Sequence, residues 1–224
     1  MRTVAVVPMK LNNSRLPNKN IKPFTNGDPL CCYILNTLLS VRDIEEVYVY
    51  CSSPEIMNYI PKSVKFIQRP TFLDKDSTSM TEVLCEFAKV VLADIYVMTH
   101  VTSPFIKSES IEFGLNKVRS GDYDSAFAAM KMQDFLWEDG KPINYSLDCI
   151  PRTQDLKALY KETSGFYIYT NDVITKKNRR IGDKPFIVEV SEIEAVDIDE
   201  KEDFMIADAI YNHMYKLDSV SGGL

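Results

Sequence analysis

No apolar run in these 224 residues approaches the roughly 20 residues that a membrane-spanning helix needs. The opening MRTVAVVP is too short, and too soon interrupted by Pro8, to be a signal peptide. Cysteine is sparse and odd in number. Cys31, Cys32, Cys51, Cys85 and Cys149 form no C-x-x-C pair, which excludes a disulfide framework or a zinc site. With only His100 and His213 in the chain, a cysteine nucleophile has little to pair with. Glycine is absent before Gly27, so neither a Walker loop nor a dinucleotide fingerprint can open the chain. Basic residues are outnumbered, 26 to 32, for a net charge of -6 and a pI near 5.1, and nucleic acid as a partner normally demands a basic face. A cytoplasmic globular protein is expected, with no membrane partner and one domain over 1–220 followed by a frayed tail, 221–224.

Against that acidic background one stretch is cationic. Val4 to Pro23 reads VAVVPMKLNNSRLPNKNIKP: a buried strand that ends at Pro8 and opens into a loop carrying Lys10, Arg15, Lys19, Asn20 and Lys22. Lysine and arginine donate to phosphate oxygens, and loops at strand carboxyl ends are where open α/β sheets bind ligands. With no glycine available, Asn12 and Asn13 are the residues expected to supply left-handed backbone.

The rest alternates strand and helix, which predicts a parallel α/β sheet. Asp28-Pro29 predicts an N-cap and first helical position for a helix to about Val41. Strands are expected at Val47–Tyr50, Val64–Ile67 and Ile95–Met98, and a capping box of Ser79 and Glu82 opens a helix between the last two. A helix over 108–119 and a strand from Ser125 to Met130 make a fifth repetition. Residues 134–161 lose any period around Trp137, Gly140-Lys141-Pro142 and Pro151-Arg152. This excursion could be a dimer arm, a lid or a surface loop, and dimerisation is the expectation. Strands at Gly165–Tyr169 and Phe186–Val190 follow, then a final helix from about Glu202 whose buried side is Phe204, Ala207, Ile210, Tyr211, Met214 and Leu217.

Just before that helix stand Asp197 and Asp199, one residue apart in a segment expected to be extended. A two-residue period puts both carboxylates on one face and Ile198 in the core. Side-by-side carboxylates call for a hard cation such as Mg2+ with triphosphate oxygens. They could instead cap the helix dipole.

Pro8-Met-Lys10-Leu-Asn-Asn-Ser14-Arg15-Leu16-Pro17-Asn-Lys19-Asn20 resembles the opening loop of the sugar-acid cytidylyltransferases, the acylneuraminate or CMP-sialic acid synthetase type related to CMP-Kdo synthetases. Asp197-Ile-Asp199 with Asp203-Phe204, His100-Val-Thr102-Ser103-Pro104, Arg69-Pro70 with Ser79, and Tyr160 to Gly165 resemble further motifs of that family, in order along the chain. The resemblance implies a three-layer, Rossmann-like nucleotidyltransferase fold with a mostly parallel sheet. It also implies an enzyme that transfers CMP from CTP to the anomeric hydroxyl of a 2-keto sugar acid for surface glycans, releasing pyrophosphate, as a homodimer with Mg2+.

Carried onto matching positions, the resemblance makes Lys10, Arg15 and Lys19 triphosphate ligands helped by Asn20. Backbone from Pro8, Met9, Lys10 and Leu11, with Arg69 and Ser79, would read cytosine and ribose. His100, Thr102, Ser103, Tyr160, Thr163 and Ser164 would face the sugar, and Asp197 and Asp199 would hold the metal. Lys10 stands where the family has arginine, His100 for glutamine, Ile106 for arginine and Ser164 for asparagine. A strand-four loop without a carboxylate, Thr99-His100-Val101, points to sialic, legionaminic or pseudaminic acid rather than Kdo. Another nucleotide such as GTP, another sugar, or a non-catalytic nucleotide-binding module are the rival readings.

Overall fold

Alternating side chains build the sheet. In β1 (Thr3–Met9), β2 (Glu46–Cys51) and β4 (Ile95–Thr99), Ala5, Val7, Val47, Val49, Ile95 and Val97 point to one face, and Val4, Val6, Tyr48, Tyr50, Tyr96 and Met98 to the other. Both sets are buried, so these strands read as continuous apolar runs, as parallel strands covered on both faces do. The structure is a computed structural model that describes residues 1–13 and 15–221, with 215–221 as backbone alone.

Seven strands lie in the order β3-β2-β1-β4-β8-β5-β9, where β3 is Lys65–Gln68, β5 Ser125–Met132, β8 Leu159–Thr170 and β9 Pro185–Glu189. Helices α1 (Leu30–Ser40), α3 (Ser108–Arg119) and α5 (Lys201–Ser221) cover the aliphatic face. The other face packs on α2 (Met80–Val90) and α4 (Asn171–Lys177). It is aromatic: Tyr96 stacks on Tyr169 at 5.8 Å, and Phe87 meets Tyr48, Tyr50 and Tyr96 edge-on. The Tyr96 hydroxyl donates to the Val91 carbonyl at 2.8 Å, so the ring's polar tip is satisfied where it is buried.

The three-layer, mostly parallel expectation holds, and the Ser79–Glu82 capping box opens α2. Several local expectations do not. The N-cap of α1 is Pro29, and Asp28 instead accepts from Asn26. Left-handed backbone in the first loop falls at Asn18, φ 56°. β8 is twice the expected strand and runs antiparallel to both β4 and β5, because a chain returning from β5 without a helical crossover can only pair antiparallel. Residues 195–199 are irregular rather than a strand. Within the excursion, β6 (Trp137–Glu138) and β7 (Lys141–Pro142) form a hairpin. Its central Asp139 and Gly140 have φ of 47° and 75°, the left-handed pair that a type I′ turn requires.

On α5, Phe204 and Ala207 are buried, while Met214 is 37% exposed; the Leu217 side chain and the tail 222–224 lie outside the described residues. No helix among the described residues is long and apolar enough to cross a membrane.

The order of the strands creates a crevice. From β1 the chain moves outward to β2 and β3, then returns to place β4 on β1's other side. Ligands bind at such a switch point, beyond the carboxyl ends of the strands.

Candidate active site

A cleft of about 480 Å³ opens there. Its first wall is the loop after β1. The buried Asn20 amide donates to the Lys10 carbonyl at 2.8 Å, which ties the two ends of the cationic loop together. Lys19 is only 7% exposed, and its ammonium donates to the Ile198 carbonyl at 2.6 Å, with Asp199 Oδ1 at 3.5 Å. The guanidinium of Arg15 reaches Asp199 at 3.1 Å and Glu200 at 3.8 Å. Lys10 pairs across the cleft with Asp76 at 3.0 Å.

The acidic segment faces these cations. It is pinned by the Ile198 N–H, which donates to the Thr102 carbonyl at 2.9 Å, and by the buried Ile198 side chain. Both carboxylates therefore line the cleft although the segment is not a strand. The helix-capping alternative goes to another residue. Asp203 accepts from the backbone N–H of Asp199 and Glu200 at 2.9 and 2.8 Å, and those two bonds hold its carboxyl below the ordinary carboxylate value.

Asp197 Oδ2 accepts from Ser164 Oγ at 2.8 Å, whereas its Oδ1 is buried with no hydrogen-bond partner. A buried carboxylate oxygen without a donor is costly unless a ligand completes it. Among the described residues no group of three or more His, Cys, Asp or Glu could hold a metal. Two carboxylates plus phosphate oxygens and water match the sparse protein ligation of Mg2+, so Asp197 and Asp199 fit that ion.

His100 lines the cleft between these groups. Burial, then the positive charge of Arg180 and Lys19, outweighs Asp197 and Asp199 and drops its pKa to about 4. The imidazole is neutral near pH 7 and can accept a hydrogen bond.

The segment after β3 adds apolar side chains to the lining. Leu73, Met80 and Val83 join Pro8 and Met9 there, with the buried Arg69 among them. Flat apolar walls with one guanidinium suit a nucleobase.

Of the residues singled out by sequence, Pro8, Met9, Lys10, Arg15, Lys19, Asn20, Arg69, His100, Thr102, Ser164, Asp197 and Asp199 share this cleft. Leu11 packs against the core instead. Ser79 is spent on its helix cap. Ser103 is buried, its N–H turned back to the His100 carbonyl. Thr163 is buried and donates to the Ala128 carbonyl at 3.1 Å; it lines a neighbouring hollow of about 140 Å³ that shares Ser164 and Asp197 with the cleft. Tyr160 is 45% exposed, with its hydroxyl 3.4 Å from Glu189. Sequence reasoning missed Asn13, Leu73, Lys75, Asp76 and Thr78 as cleft residues; the crowding of Asp74, Lys75 and Asp76 before a capped helix was the available signal.

A family model described as cytidylyltransferase matches residues 4–217. The chain belongs to the cytidylyltransferase family. A Helicobacter pylori protein named pseudaminic acid cytidylyltransferase and UDP-2,4-diacetamido-2,4,6-trideoxy-beta-L-altropyranose hydrolase is 26% identical over 220 residues, 93% of this chain but 42% of that relative. The chain thus spans less than half the length of that relative. The Escherichia coli 3-deoxy-manno-octulosonate cytidylyltransferase is 27% identical over 192 residues, covering 77% of this chain and 74% of its own. Among solved structures, a CMP:2-keto-3-deoxy-manno-octonic acid synthetase complexed with CTP superposes with a TM-score of 0.74 at 21% identity, over 96% of this chain and all of that one. That likeness establishes the shared fold.

Proposed function

We propose that this cytidylyltransferase transfers CMP from CTP to the anomeric hydroxyl of a long-chain 2-keto sugar acid of the pseudaminic, sialic or legionaminic type. The observation that carries the reading is the meeting of Lys10, Arg15 and Lys19 with Asp197 and Asp199 in one cleft whose lining also carries apolar side chains. The base lies against Pro8, Met9 and Leu73, the triphosphate against the three cations, and the sugar beside His100, Thr102 and Ser164. The sugar hydroxyl forms a bond to the α-phosphorus as the bond to the bridging oxygen breaks, and pyrophosphate leaves with that oxygen. Such transfers depend on positioning and charge neutralisation rather than on a covalent side chain. Asp197 and Asp199 would hold Mg2+, which when bound offsets triphosphate charge and acidifies a coordinated hydroxyl. Lys19 and Arg15, now paired with Asp199, would exchange that partner for phosphate oxygens.

The excursion after β5 supports a homodimer. Trp137, Ile143, Leu147 and Ile150 are each more than half exposed along it, and large apolar side chains gathered on one short exposed segment fit an interface. The five cysteines are free thiols, in keeping with the reducing cytoplasm.

Pyrophosphate release from CTP, Mg2+ and a panel of nine-carbon and eight-carbon 2-keto acids tests the reading. Turnover with the nine-carbon acids is expected, and Asp199→Asn should abolish it in a protein that unfolds at the wild-type temperature. Release with GTP alone would change the product, and undiminished turnover in Asp199→Asn would remove the metal assignment.

A further inference from the structure

Arg69 is the most deeply buried cation of the cleft, its side chain 5% exposed. Its backbone is fixed by an N–H bond to the Cys51 carbonyl at 2.9 Å. The chain then makes a single 3-10 turn, Thr71–Asp74, in which the Leu73 N–H returns to the Pro70 carbonyl at 3.1 Å. This turn brings the Asp74 carboxylate back onto Arg69 Nη2. Asp74 is itself 19% exposed and is absent from the cleft lining. Arg69 Nε is buried with no partner. A guanidinium carries five donors in a rigid plane and stays charged. Asp74 accepts from one Nη2 donor and leaves the remaining donors, Nε among them, to whatever enters the cleft beside Leu73.

We propose that Asp74 is a positioning residue for base selection: by fixing the plane of Arg69 it makes the site prefer cytosine to uracil. This rests on the reading that a pyrimidine nucleotide occupies the cleft. Cytosine presents two adjacent acceptors, O2 and N3, on the edge that a guanidinium can grip with two parallel N–H bonds. Uracil presents O2 beside an N3–H, so a guanidinium held in the same plane sets donor against donor. A buried polar group left unmatched is penalised far more than a matched one is rewarded. A guanidinium free to swing would keep the bond to O2, which both bases offer, and lose the contact that separates them. Charge neutrality alone does not require this. Any nearby carboxylate would neutralise Arg69, whereas selection requires a carboxylate at this distance.

Calorimetric titration of CTP and UTP into wild-type protein, Asp74→Asn and Asp74→Glu separates the possibilities. Wild type is expected to favour CTP. Both variants should lower the CTP:UTP affinity ratio by about tenfold, mostly through weaker CTP binding. Asp74→Glu keeps the charge and only displaces the guanidinium, so it remains folded and decides the matter should Asp74→Asn unfold. A ratio unchanged in Asp74→Glu, with CTP bound normally by wild type, overturns the inference and leaves Asp74 a counter-ion. Failure of wild type to bind either pyrimidine nucleotide overturns the functional reading and this inference together.

Discussion

The Lys19 ammonium donates to the Ile198 carbonyl at 2.6 Å, across 179 residues of sequence. This bond joins the loop after the first strand to the segment before the last helix, and so joins the cationic and acidic halves of the site. A hydrogen bond from a charged group contributes roughly 1.5–3 kcal/mol, and little is lost to solvent because the Lys19 side chain is 9% exposed. Lys19→Met should lower the unfolding midpoint by about 5 °C and remove the stabilisation that CTP confers on wild type. Differential scanning calorimetry with and without CTP reads both effects. An unchanged midpoint would mean that the two halves are held by packing alone.

The partner of Lys10 is of another kind. Asp76 is 88% exposed in its side chain, and an exposed pair contributes little to stability. On the proposed reading, the pair occupies a cation that the triphosphate would otherwise take. Asp76→Asn should leave the midpoint within about 1 °C and tighten CTP binding a few-fold, on the order of 0.5–1 kcal/mol. The gain should shrink as salt rises and screens both charges. Titration at two ionic strengths checks it, and weaker binding in the variant would show that Asp76 assists the nucleotide rather than competing with it.

The strands of the core were legible in the sequence because each alternation is local: Val4 to Val7, Val47 to Tyr50 and Ile95 to Met98 declare themselves without reference to anything distant. The capping box at Ser79 is equally local. The hairpin at Asp139-Gly140 was also written there, in one of the dipeptides that favour a type I′ turn, but the aromatic and proline residues around it masked the period. The second half of β8 was legible as the run Gly165–Tyr169, but its first half and its insertion between β4 and β5 were not, since they depend on pairings such as Thr99 with Phe166 and Met132 with Leu159 that no window contains. Spacing was enough to single out Lys10, Arg15, Lys19, Asp197 and Asp199, which line one cleft. Thr163 and Ser103, singled out with them, lie outside that lining, because which way a side chain faces beside a bulge or within a turn is set by the neighbours it meets. Asp74 and Asp76 were hidden in a short charged run that reads as ordinary solvated loop.

Gly165, next to the cleft residue Ser164, offers a test of how tightly β8 is packed. A Cβ added there would run into Ile106 Cδ1 and lie 3.1 Å from Ile106 Cγ1 and 3.2 Å from Ala128 Cβ. Ile106 is 2% exposed, so its terminal carbon can turn aside only into filled space. Gly165→Ala should destabilise by about 1–3 kcal/mol. Trimming the obstacle with Ile106→Val should recover part of that loss, giving a favourable coupling in a double-mutant cycle. Additive losses in urea unfolding would place the strain elsewhere on β8.

His100 makes the stability of the metal-free protein depend on pH in a defined window. Its pKa falls from the ordinary 6.5 to about 4 in the folded state, so between those values the unfolded chain binds the proton and the folded one does not. Stability therefore rises with pH across that interval. The contribution is fully present above about 6.5, is lost progressively as pH falls to about 4, and changes no further below that, where both states are protonated. Other groups titrate in the same range, so the slope is assigned by difference. His100→Gln, which cannot take a proton, should flatten the change in unfolding free energy between pH 6.5 and 4 relative to wild type. Identical slopes in the two proteins, measured by urea unfolding at each pH, would show that the imidazole takes up its proton as readily in the folded state as in the unfolded chain.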